Sequence, residues 1–112
     1  MNRVAFVMVN HNGGEEVLHS VRSVLMEMTE EDRLVLVDNG TSDGSGQRVY
    51  EEFPDIHYIG LADNHTFAAA NNHGIRWALK HKFSFIGPIN PDVRLKPVMI
   101  DRMVRHLSLI HI

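Results

Sequence analysis

Leu34–Ser45 reads LVLVDNGTSDGS: four consecutive apolar residues, an acid at the first polar position, then a tract dense in Gly, Ser and Asp. An unbroken apolar run bounded by turn formers is the pattern of a strand covered on both faces, as in a parallel sheet layered between helices. The same pattern recurs upstream in Val4–Val9 (VAFVMV), which NHNGG from Asn10 to Gly14 ends, and downstream in Phe83–Ile89. A weaker run carrying Ile56, Tyr58, Ile59 and Leu61 supplies a further strand.

Between these runs the apolar spacing lengthens to three and four residues. Val17, Val21, Val24, Leu25 and Met28 mark a helix from Glu15 to about Met28, and Glu15 and Glu16 favour its positive start. Val49 and Phe53 lie on a short second helix closed by Pro54, while Phe67, Ala70, Gly74, Ile75, Ala78 and Leu79 trace one face of a third. Strands alternating with helices over short connections predict right-handed crossovers and a mostly parallel sheet. The expected class is therefore α/β, a three-layer α/β/α Rossmann-like fold. If the strand order is 3-2-1-4, winding reverses beside the first strand, and ligands bind beyond the strand C-termini there. Asn10, Asp38 and Asp92 would emerge on that rim.

A chain of 112 residues holds about one small domain, and 44% hydrophobic with 22% charged residues is the balance of a folded globular chain rather than a disordered one. The net charge is −3 and the eleven Lys and Arg form no stripe, which argues against nucleic acid as a partner. With no cysteine, disulfides, thiolate zinc sites and a thiol nucleophile are excluded together. The run Val4–Val9 behind a single Arg3 is too short for a signal-peptide core or a membrane span. No repeat or linker divides the chain.

Chemistry concentrates in a few segments. Asp38, first after a buried strand, can accept hydrogen bonds from a ribose hydroxyl or a base N–H, or it can cap the turn that follows. Asp43, followed by Gly44 and Ser45, reads as a turn and helix-start residue. In INPDV, Asn90 and Asp92 are two apart on an extended chain and can face one cation with its bridging phosphate oxygens; an ordinary Asn-Pro-Asp turn is the competing reading. Asn71 and Asn72 follow the small residues Ala68, Ala69 and Ala70 and serve equally for ligand contact or for helix packing. Of the eight histidines, His19, His81 and His106 read as surface residues, and His11, His65 and His73 as packing or hydrogen-bonding residues.

Taken in order, VNHNGG (Val9 to Gly14), VDNGTSDGS (Val37 to Ser45), NHTFAAANNHGI (Asn64 to Ile75) and INPDVRLKP (Ile89 to Pro97) resemble family 2 glycosyltransferases of the GT-A fold, especially their rhamnosyltransferase-like members. The likeness spans roughly residues 3 to 97 and departs at Thr66, where the family pattern has Gly. It implies a nucleotide diphosphate sugar donor, such as a UDP- or dTDP-sugar, and a divalent metal, Mg2+ or Mn2+. Residue by residue it implies a nucleotide site of Val9, Asn10, His11, Asp38, Asn39, Asn71, Asn72 and Asn90, with Asp92 at the metal.

Family members continue into an acceptor-binding half that supplies the catalytic base, so residues 1–112 are expected to be a partial domain, the donor-nucleotide half of a truncated enzyme, with no catalytic residue assigned. The activity implied is metal-assisted, inverting sugar transfer to a glycan or lipid-linked acceptor in the cytoplasm or at the inner face of the membrane, in cell-wall or polysaccharide synthesis. A non-catalytic nucleotide-sugar-binding remnant, or an interaction module, is the alternative. Other enzyme classes lack their marks: there is no G-x-G-x-x-G turn after the first strand, no G-K-[ST] loop, no H-E-x-x-H, and no basic triphosphate loop of the pyrophosphorylase kind.

Overall fold

The computed structural model describes residues 3–90 and 110–111. Its elements run β1 (Val4–Asn10), α1 (Gly14–Glu27), β2 (Arg33–Asn39), α2 (Ser45–Glu52), β3 (His57–Leu61), α3 (Phe67–Lys80), β4 (Phe85–Ile89) and β5 (Ile110–His111). The strands form one sheet in the order β3-β2-β1-β4-β5, in which β1 pairs in parallel with β2 and β4, and β2 in parallel with β3. The expected parallel 3-2-1-4 core is therefore present. β5, an element not anticipated in the closing LSLIHI, adds an antiparallel edge through Phe85↔His111 and Ile86↔Ile110.

Alternation along the strands sorts the core into two halves. Val4, Phe6, Met8, Leu34 and Leu36 face α1 and α2, where Val17, Val21, Val24 and Val49 meet them. Ala5, Val7, Val9, Val35 and Val37 face α3. Every residue of β1 is buried, as its unbroken apolar run requires of a central strand. By the same alternation Asn10 and Asp38 fall on the α1/α2 side, in register with each other at the C-terminal ends of neighbouring strands.

The third helix corrects one expectation. Its buried residues are Ala70, Gly74 and Ala78, whereas Phe67 and Leu79, expected on the same face, are 54% and 46% exposed. The four-residue spacing of the smallest side chains sets the contact line, because they let the helix approach the sheet closely and leave the larger residues on its flanks. Thr66, the departure from the family pattern, has φ −61° and accepts a hydrogen bond from the Ala69 N–H at 3.2 Å. It is the N-cap of α3, a position that favours Thr and needs no glycine freedom.

Close approach at Gly74 is measurable. A Cβ built there would stand 2.5 Å from Val7 Cγ1 and 3.3 Å from Val37 Cγ2. Alanine is the better helix former by about 1 kcal/mol, yet overpacking costs about 1–3 kcal/mol. Gly74→Ala is expected to lower stability in urea unfolding; a gain in stability would show that α3 does not sit tightly on the sheet.

Candidate functional site

Two loops at the C-terminal rim are tied together by side chains that came from the first two motifs. Asn10 has no exposed surface, and its Nδ2 donates to Ser45 Oγ at 2.9 Å and to Asp38 Oδ1 at 3.2 Å, with Thr41 Oγ1 at 3.4 Å. Its Oδ1 accepts the Gly13 N–H at 3.1 Å. An amide so enclosed must satisfy itself internally, so Asn10 braces the loop after β1 against the loop after β2.

The next layer repeats the device in the open. Asn12, at φ 52°, accepts the N–H groups of Ser42 at 2.8 Å and Asp43 at 3.1 Å on one oxygen. Asp43 returns the tie, accepting Gly14 N–H at 3.1 Å and Ser45 N–H at 2.9 Å, which fits the turn and helix-start role read from its sequence. Gly40 is required here twice over: its φ is +61°, and a Cβ would stand 2.5 Å from the Asn64 backbone nitrogen.

Asp38 is 7% exposed. Asn10 holds its Oδ1, and the Tyr58 hydroxyl donates to its Oδ2 at 2.5 Å. A carboxylate offers about four lone-pair sites, so acceptor capacity remains on both oxygens although the group already has two internal partners. Asn39 is more fully committed: its amide donates to the His65 carbonyl at 2.9 Å and accepts the His65 N–H at 2.8 Å, clamping the loop ahead of α3.

The remaining candidates lie as follows. Val9 is buried on the α3 side of the core, so a ligand meets its backbone rather than its side chain. His11 is exposed, with Nδ1 2.8 Å from the Asn39 carbonyl; that oxygen can only accept, so Nδ1 is the donor. Asn71 and Asn72 part company: Asn72 is exposed, whereas Asn71 is half-buried with its Oδ1 enclosed and without a hydrogen-bond partner among the described residues. Asn90 is exposed and directly follows β4, beside the end of β1. Asp92 lies outside the described residues. Among those described, no group of three or more His, Asp or Glu is arranged to hold a metal ion.

Tyr58, Ser45, Thr41 and Gly46 belong to this site and were not singled out in the sequence. Tyr58 and Gly46 are reached only through strand register and helix placement. Ser45 and Thr41 lie within a motif already quoted, but as ordinary turn residues.

The family model described as glycosyl transferase family 2 matches residues 5–109. The chain belongs to that family. A low-salt glycan biosynthesis hexosyltransferase, Agl10 of Haloferax volcanii, is 27% identical over 112 residues, 99% of this chain and 33% of the relative. Among solved structures, S. aureus TarS 1-349 in complex with UDP-GlcNAc superposes with a TM-score of 0.80 at 13% identity, over 96% of this chain and 31% of that one. The mannosyltransferase PcManGT from Pyrobaculum calidifontis, in complex with GDP-Man and Mn2+, gives 0.71 at 18% identity, over 95% and 32%. These likenesses establish the GT-A fold, and the chain spans about a third of the length of each relative. Among the described residues no helix is long and apolar enough to cross a membrane.

Asp43 gives the rim a pH signature. Hydrogen bonds from the Ser45 hydroxyl and N–H, and then from the Gly14 N–H, hold its carboxyl below the ordinary value of 3.8. A depressed folded pKa contributes stability above the unfolded pKa and loses it as pH falls through the folded one. Asp43→Asn is therefore expected to melt below the parent chain at pH 6, with the gap closing as pH drops below about 3.8. A gap that persists unchanged at pH 2.5 would show that charge plays no part.

Proposed function

We propose that this glycosyltransferase domain binds a nucleotide diphosphate sugar at the C-terminal rim, as the donor half of an enzyme that transfers the sugar to a glycan or lipid-linked acceptor. The observation that carries the reading is the pairing of Asn10 with Asp38 at the ends of β1 and β2, on the rim where winding reverses between β1 and β4. Asn90 follows β4 on the same rim. The helices α1, α2 and α3 also begin at this edge, so the positive ends of their dipoles lie along it. The structural neighbours named above were solved with UDP-GlcNAc and with GDP-Man, which supports a nucleotide sugar as the ligand class.

In this reading the remaining acceptor capacity of Asp38 takes a base or ribose donor, while the loop backbones around Val9, His11 and Asn39 wall the nucleoside. Asn71, half-buried near the start of α3, and the exposed Asn72 and Asn90 supply further amides to the same reading. Asp92 is proposed as the protein carboxylate on Mg2+ or Mn2+. Magnesium sites built on diphosphates commonly use only one or two protein carboxylates, so a donor set of Asp92 and phosphate oxygens, assisted by Asn90, is chemically sufficient. Such an ion would neutralise the diphosphate and stabilise charge on the departing group. Inverting stereochemistry, and a site of action in the cytoplasm or at the inner membrane face, belong to the same proposal.

An open cleft of about 520 Å³ lies at the opposite end of the strands, lined by Met28, Thr29, Asp32, Arg33, Asp55 and Ile56 among others. It has no claim as the donor site. Its buried acid, Asp32, is already committed to the Val4 N–H at 3.0 Å and to the Thr29 N–H and hydroxyl at 3.0 and 3.1 Å.

Calorimetry with UDP- and dTDP-sugars tests the reading. Weak binding that strengthens with Mg2+ or Mn2+ is expected, with the metal-dependent part lost in Asp92→Ala and affinity down about tenfold in Asp38→Asn, the scale of one charge-assisted hydrogen bond. A folded sample that binds none of these ligands with either metal would overturn it.

A further inference from the structure

Alternation puts Tyr58 on the same face of the sheet as Asp38, and its ring packs against the core beneath α1 and α2. The next position of β3 on that face is Gly60, which is in register with Asp38. A Cβ at Gly60 would stand 3.1 Å from Tyr58 Cε1, so the ring lies over a bare stretch of backbone to reach the carboxylate. The Tyr50 ring of α2 backs it at a centroid distance of 5.5 Å.

On the other side the carboxylate meets Gly46, in the first turn of α2, where a Cβ would fall 1.9 Å from Asp38 Oδ2. Any side chain there would displace the acid. The carboxylate is thus held by one donor per oxygen, Asn10 on Oδ1 and Tyr58 on Oδ2, and rests on the backbone at a helix N-terminus. Two donors on opposite oxygens stop rotation about the last side-chain bond. Packing alone would be served by phenylalanine; the hydroxyl adds only the bond to Asp38.

We infer that Tyr58 is a positioning residue that fixes the carboxylate plane of Asp38 for its hydrogen bond to the nucleoside, with Gly46 and Gly60 making the room. This rests on the nucleotide-sugar reading of the same rim. In support, burial foremost, followed by the hydrogen bond and the negative charge of Asp38, pushes the Tyr58 hydroxyl up to about 12, so it remains a donor across the neutral range.

The test measures UDP affinity in the presence of Mn2+, thermal midpoint, and phenol ionisation by ultraviolet absorbance. Tyr58→Phe keeps the ring and is expected to bind UDP about tenfold more weakly, with a thermal midpoint close to that of the parent chain. The chain has two tyrosines. In a Tyr50→Phe background the Tyr58 ionisation is expected near 12 and should fall when Asp38→Asn is added. Equal UDP affinity in the parent chain and in Tyr58→Phe, or an ionisation indifferent to Asp38→Asn, overturns the inference while leaving the nucleotide site standing. Failure of the folded parent chain to bind UDP overturns the site itself and the inference with it.

Discussion

A side-chain amide with no access to water holds the functional rim together. Asn10 is wholly enclosed, and an enclosed amide left without partners costs about 1–3 kcal/mol for each unsatisfied group. Its donors therefore go to Asp38 and Ser45 and its acceptor to Gly13, which ties the turn after β1 to the turn after β2. The parallel register that sets Asn10 opposite Asp38 makes this possible, and the alternation of the strands turns both toward α1 and α2. Shift either strand by one residue and the polar group at its end would face α3, breaking the pair.

From that constraint the loops inherit their shape. Asn12 gathers two N–H groups of the second loop, Asp43 gathers one from each, and Asn39 clamps the backbone ahead of α3. Asparagine and aspartate do this work because their short side chains reach backbone groups a few atoms away with little loss of rotamer freedom. The result is a rim with its polar groups preset before a ligand arrives, which reduces the ordering cost of binding. Asp38 illustrates the consequence: internal partners orient it, and the acceptor capacity they leave is directed rather than free.

Much of the fold was legible in residues alone. The apolar runs of β1 and β2 and the three- and four-residue spacing of α1 follow from burial on two faces and on one, so their positions and the parallel arrangement could be read directly, whereas the order 3-2-1-4 entered only as a condition. The third helix was read less well, because periodicity counts Phe67 and Leu79 as apolar without knowing that Ala70, Gly74 and Ala78 set the line of contact. β5 is two residues long and carries no period to detect. At the site, Asp38 and Asn10 were legible as polar residues ending buried strands. What they bond to was not, since the partners lie 20 to 35 residues away and depend on register: Tyr58 reaches Asp38 only because Gly60 sits opposite it. Asp92, central to the metal proposal, lies outside the described residues, so the convergence of its carboxylate with that of Asp38 remains part of the proposal.

The most direct measurement is an amide-resolved NMR titration of the chain with UDP and Mg2+. Signals of residues 10–14 and 38–45, including the Asn10 side-chain amide, are predicted to shift together, while those around Asp32 and Ile56 at the opposite end of the strands stay still. Shifts confined to the Asp32 end, or no shift at any ligand concentration, would contradict a nucleotide site on this rim.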